Sequence, residues 1–160
     1  MTGPLAKIVS GGQTGVDRGA LDAAIEAGFP CGGWAPEGRV AEDGPIAARY
    51  PLAELPGGGY EERTLKNVLD SDGTAILHAG VLEGGTRMTQ QYCTQHQKPC
   101  LVIDGSRLRP REAAGEIAAF IVKHGIGALN VAGPRASKWP GAHRYAHAAV
   151  KHLLDTVVKR

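Results

Sequence analysis

The sequence predicts an α/β fold, a three-layer sandwich around a mostly parallel central sheet. Short apolar runs rich in β-branched residues alternate with longer segments of helical period, which is the pattern of βαβ units. Glycine-rich turns stand where several of those runs give way to helices. The length of 160 residues and the 42% hydrophobic content suit one continuous core, so residues 1–160 are expected to form a single domain.

The expected strands are residues 6–10, 29–34, 74–79, 100–104 and 128–132. After the first strand, Leu21, Ala24, Ile25 and Gly28 make an apolar stripe opposite Arg18, Asp22 and Glu26, an amphipathic helix. Residues 35–59, rich in proline and glycine, interrupt the alternation as either a functional loop or an irregular excursion. Helix resumes over residues 60–69. Three more stripes follow: Met88, Thr89, Tyr92, Cys93 and His96; then Ala113, Ala114, Ile117, Ala118 and Ile121; then Ala146, Ala149, Val150, Leu153, Leu154 and Val157. All are read as core packed on the sheet. Right-handed crossovers between parallel strands place helices on both faces and gather the strand C-termini along one edge, a Rossmann-like arrangement.

Charged residues make up 21% of the chain and the formal net charge is +2, which gives no reason to expect nucleic acid or a membrane surface as a partner. An anion site, if present, is local. Cys31, Cys93 and Cys100 show no C-x-x-C spacing and suggest neither a disulfide framework nor a zinc site. With no leader-like N-terminus and no apolar run near the roughly 20 residues that span a bilayer, a soluble cytoplasmic protein is expected.

Three turns carry the functional signal. The first holds Gly11, Gly12, Gln13, Thr14 and Gly15, with Arg18 one turn into the helix. The second holds Gly84, Gly85, Thr86, Arg87 and Thr89, and the third Gly133, Arg135, Ser137 and Lys138. Glycine lets backbone approach a ligand, and helix N-termini offer N–H groups and a positive dipole end, so a phosphate is the natural guest. In a doubly wound sheet all three turns leave one edge, which predicts a shared crevice. Arg18, Arg39, Arg63, Arg87, Arg135 and Lys138 are candidate cations, Arg87 and Arg135 foremost. Asp17, Glu42, Asp43, Asn67, Asp72 and Asn130 could read ring donors, or simply cap turns. His143 and His147 have metal-ligand spacing but no third ligand nearby, so with Lys151 they read as a solvated helix face and no metal site is expected.

A Walker-type loop requires a lysine that Val16 and Asp17 displace here, and no acid ends the second strand to hold a dinucleotide ribose. There is no G-x-S-x-G elbow and no cysteine paired with a base, so no catalytic residue is nominated.

Taken in order, Ser10-Gly-Gly-Gln-Thr-Gly-Val-Asp-Arg, Gly38-Arg-Val-Ala-Glu-Asp-Gly, Arg63-Thr with Asn67-Val, Asp70-Ser-Asp-Gly-Thr, Gly84-Gly-Thr-Arg-Met-Thr and Asn130-Val-Ala-Gly-Pro-Arg-Ala-Ser-Lys resemble the molybdenum cofactor carrier family. That family is similar in fold to the wider group containing the cytokinin-activating phosphoribohydrolases, once labelled lysine decarboxylases. The resemblance implies a homo-oligomer, dimer or tetramer, that binds the molybdenum cofactor (molybdopterin) as cargo without converting it and passes it to molybdoenzymes. The three glycine turns and their Arg and Thr residues would make the cradle. The enzymatic cousins carry an acid shortly after the threonine, where this chain has Met88, Thr89 and Gln90. A nucleoside-monophosphate phosphoribohydrolase using Glu83 is therefore the second reading, and a nucleotide-binding sensor the third.

Overall fold

The computed structural model describes residues 4–158. In chain order the elements are β1 (Lys7–Val9), α1 (Val16–Glu26), β2 (Cys31–Gly32), β3 (Trp34–Pro36), β4 (Val40–Ala41), β5 (Gly44–Pro45), β6 (Ala53–Leu55), α2 (Tyr60–Leu69), β7 (Gly73–His78), α3 (Gly84–Gln95), β8 (Cys100–Asp104), α4 (Pro110–His124), β9 (Ala128–Ala132) and α5 (Ala142–Val158). Five strands form one parallel sheet in the order β2-β1-β9-β7-β8.

The layers follow from handedness. The crossover through α1 steps from β1 outward to β2, whereas the crossover through α3 steps from β7 the opposite way to β8. Both being right-handed, α1 and α3 lie on opposite faces, and α4, which returns from β8 to β9, joins α1. The α1, α4 and α5 layer supplies most of the core, around Val16, Ile117, Ile121, Val150, Leu153 and Leu154 against Ile8, Leu77, Leu129 and Val131. Every residue of β7 is buried, as expected of a central parallel strand covered on both sides.

The expected strand over 29–34 is shorter than its apolar run. It stops at Gly32 because Gly33 has φ +140°, and a Cβ there would sit 2.1 Å from the Ser10 carbonyl oxygen. That residue must be glycine, and the chain pivots there out of the main sheet. Residues 35–59 are then an organised excursion. The parallel pair β3 and β6 and the antiparallel hairpin β4 and β5 surround a second small core of Leu21, Ala35, Ala41, Ile46, Tyr50 and Leu52.

Helix α3 also departs from expectation. Only Thr86, Thr89 and Cys93 are buried, while His96 is exposed, because the N-terminal half of the helix borders a cavity rather than apolar neighbours. His143 and His147 form no merely solvated face either. Their Nε2 atoms lie 2.7 Å from Asp22 Oδ2 and 2.8 Å from Glu26 Oε1, tying α5 to α1.

Candidate functional site

The C-terminal ends of β1, β9 and β7, the three central strands, open into a cavity of about 630 Å³, the size that holds a cofactor. It lies where the connections from β1 and β7 diverge, the crevice that open α/β sheets use for ligands. All three glycine turns reach it. Gly11, Gln13, Gly84, Gly85, Thr86, Thr89, Gly133, Arg135 and Lys138 line it, joined by Arg63 from α2.

Gly12, Thr14, Gly15, Arg18, Arg39, Arg87 and Ser137 do not line the cavity, and their contacts explain why. Arg18 donates to the Gly12 carbonyl at 3.0 Å and grips Asp43 with both terminal nitrogens at 2.6 and 2.8 Å. Arg39 donates to the carbonyls of Leu52, Ala47 and Tyr50 at 2.7, 2.7 and 3.0 Å, drawing together a stretch of irregular backbone. Arg87 is exposed. A Cβ at Gly15 would meet the Pro134 carbonyl at 2.4 Å, so the first and third turns pack directly on each other. Thr14 and Ser137 are held by Glu42: the Thr14 hydroxyl donates to its carboxylate, as do the Ser137 N–H at 3.1 Å and the Ser137 hydroxyl at 2.6 Å.

The helix N-termini differ for the same reason. At α1 the Gln13 N–H is taken by Asp17 at 3.2 Å, that of Thr14 by the Gln13 side chain at 3.0 Å, and that of Val16 by the Pro134 carbonyl at 3.2 Å. At α3 no side chain caps the helix, and the N–H groups of Gly84, Gly85 and Thr86 find no acceptor among the described residues. Those three residues line the cavity.

Lining charge is balanced, with Arg63, Arg135 and Lys138 against Asp17, Glu61 and Glu83, so attraction for an anion must come from the α3 amides and dipole more than from net charge. Asp17 and Arg63 are both buried, both line the cavity, and each feels the other's charge. Burial pushes the Asp17 carboxyl above its ordinary value and the Arg63 guanidinium below its own, and each charge opposes the other's shift. Arg63 Nη1 donates to the Gly11 carbonyl at 2.6 Å. Two buried nitrogens of lining residues, His78 Nδ1 and Arg135 Nε, have no hydrogen bond, and Arg135 Nε has only an ion-pair contact at 3.4 Å with Glu42.

The circularly permutated YpsA SLOG family model matches residues 8–154. The chain belongs to this YpsA SLOG family. It is similar to a solved structure from Syntrophus aciditrophicus SB named "putative molybdenum carrier protein", with 46% identity over 96% of this chain and 98% of the other and a TM-score of 0.93. No curated protein matches the chain. The family resemblance read from the six ordered motifs is borne out.

In this YpsA SLOG chain, sequence reasoning missed His78, Tyr60 and Trp139, which also line the cavity. His78 gave one signal, an imidazole ending an otherwise apolar strand. Of the candidate ring readers, Asp17, Asn67 and Asn130 line the cavity, whereas Asp72 accepts the N–H groups of Gly127 and Ala128 at 3.0 and 2.8 Å, the turn-capping role. Among the described residues there is no cluster of three or more His, Cys, Asp or Glu side chains placed to hold a metal ion, and no helix long and apolar enough to cross a membrane.

Proposed function

We propose that this chain binds the molybdenum cofactor as cargo, in the cavity above β1, β9 and β7, and passes it unconverted to molybdoenzymes in the cytoplasm. The observation that carries this reading is the open N-terminus of α3, three unclaimed amides bordering a cavity of cofactor size. The name given to the 46% identical structure points the same way. The residues fit the group: the amides of Gly84, Gly85 and Thr86, with Arg135 and Lys138, suit its phosphomonoester, and the Asp17 carboxylate and Asn130 amide suit the donors and acceptors of a pterin ring.

A homo-oligomer, dimer or tetramer, belongs to the same proposal. It is supported by the thin burial of α2 and α3 and by the apolar Leu69 at the end of α2, 38% exposed. Titration of the purified protein with molybdenum cofactor is expected to saturate at one equivalent per chain. Arg135→Ala should weaken binding, and Arg87→Ala, outside the cavity, should not. Absence of saturable binding to the wild-type protein refutes the proposal, and native mass spectrometry reads the assembly.

A further inference from the structure

The hairpin of β4 and β5 puts a carboxylate where a ligand oxyanion would be welcome. At its tip, Glu42 accepts from the Thr14 hydroxyl, from the Ser137 N–H at 3.1 Å and from the Ser137 hydroxyl at 2.6 Å, and lies 3.4 Å from Arg135 Nε. Two hydroxyls, one amide and a guanidinium converging on two carboxylate oxygens is the donor set of an oxyanion site. The donors come from the first and third turns, which are separate from the α3 amides. Arg135 joins the two places: it touches Glu42 and also lines the cavity, and its buried Nε has capacity left for another acceptor.

The occupant is removable. The Glu42 side chain is 23% exposed, and the hairpin tip is tied down by polar contacts, namely the Glu42 N–H to the Gln13 side chain at 2.9 Å and the Asp43 carboxylate to Arg18. Such partly solvated contacts exchange with a better-charged competitor far more readily than a packed apolar seam.

We propose that Thr14, Ser137 and Arg135 form a second oxyanion site, filled by the Glu42 carboxylate until an anionic group of the ligand displaces it. The inference rests on the proposed cargo reading. It adds that the ligand has two oxyanionic ends, one on the α3 amides and one in the Glu42 nest. Phosphate and an oxo-metal head share the chemistry the nest recognises.

Inorganic phosphate and molybdate serve as the two probes, titrated by calorimetry into wild-type protein, Glu42→Ala and Glu42→Gln, with the amide signals of Ala136 and Ser137 followed by NMR. Glu42→Ala is expected to gain one further equivalent of anion relative to wild type, with those two amides responding, and the anion that fills it identifies which end of the cargo belongs there. In wild-type protein, saturating molybdenum cofactor is expected to raise hydrogen exchange across residues 40–45 as the hairpin lets go. If neither anion gains a site in Glu42→Ala, the inference is overturned. Should that variant not fold, a failure of Glu42→Gln to gain a site, together with unchanged exchange in wild type, overturns it equally. Wild-type protein that ignores molybdenum cofactor sinks the cargo reading, while the two inorganic anions still decide the nest.

Discussion

Gly85→Ala separates the proposed role of α3 from its contribution to the fold. Gly85 is the second residue of the helix, it is exposed, and an added Cβ meets no atom within 4 Å. The substitution therefore costs no packing. It lowers the entropy of the unfolded chain and raises helix propensity, and glycine in a helix interior is worse than alanine by about 0.5–1 kcal/mol. At a helix start the gain lies at the low end, about 0.5 kcal/mol, which for a chain of this length is about 1–2 °C in Tm. Binding should move the other way. A methyl group beside the amides of Gly84, Gly85 and Thr86 holds an oxyanion away from donors it must approach within hydrogen-bonding distance, and a tenfold loss corresponds to only about 1.4 kcal/mol. The assay pairs thermal unfolding of the ligand-free protein with cofactor titration. A raised Tm with unchanged affinity refutes the amide contact, and a fall of several degrees refutes the open geometry at the start of α3.

Gly133→Ala is expected to do the reverse, since its Cβ would lie 2.1 Å from the Leu77 carbonyl oxygen and 2.6 Å from Val16 Cγ2, where β9 leaves the sheet. Overpacking of about 1–3 kcal/mol should appear as a lowered urea midpoint. Two carboxylates should give pH dependences of opposite sign. Hydrogen bonds from Ser137 and Thr14 hold Glu42 below its ordinary value of 4.5, so the advantage of wild type over Glu42→Gln is complete above that pH and is lost as pH falls through the folded-state value. Burial, only partly offset by Arg63, raises Asp17 above 3.8, so relative to Asp17→Asn wild type is best at low pH and loses ground as pH rises through the folded-state value. Equilibrium unfolding between pH 3 and 7 checks both, and parallel profiles would contradict the assigned environments. His78→Leu removes a buried nitrogen with no partner and should leave the Tm of the ligand-free protein unchanged or higher; a clear drop would mean that the imidazole has a partner.

Much of the architecture was legible because local and global preferences agree. The runs at 100–104 and 128–132 are β8 and β9 residue for residue, and the helix over 60–69 is α2. The two strands are apolar runs bounded by turn residues, and α2 keeps its helical period although it buries Arg63 and Asn67 beside Val68 and leaves Leu69 exposed. The second strand was misread because its apolar run continues past the point where the sheet ends. What stops it is the Ser10 carbonyl, a group 23 residues away, pressed against Gly33. The excursion over 35–59 was illegible for a related reason: Arg39 organises it by donating to carbonyls, and an arginine's choice of backbone acceptors leaves no periodic trace.

The site shows the same limit more sharply. The three glycine turns look alike in sequence, each following a strand or preceding a helix and each with a hydroxyl or a cation nearby. In the folded chain the turn opening α3 keeps three consecutive amides unclaimed among the described residues, whereas in the first turn Asp17 and the Gln13 side chain take the amides of Gln13 and Thr14, and Glu42 bridges the first and third turns. Whether a glycine turn is a cradle or a joint thus depends on whether an acceptor elsewhere in the chain reaches it. Glu42 lies 28 residues from Thr14 and 95 from Ser137, separations across which no motif of a few residues carries information. Loss of its carboxylate should turn a joint back into a cradle, which is why a charge on a remote hairpin bears on how many anions this chain holds.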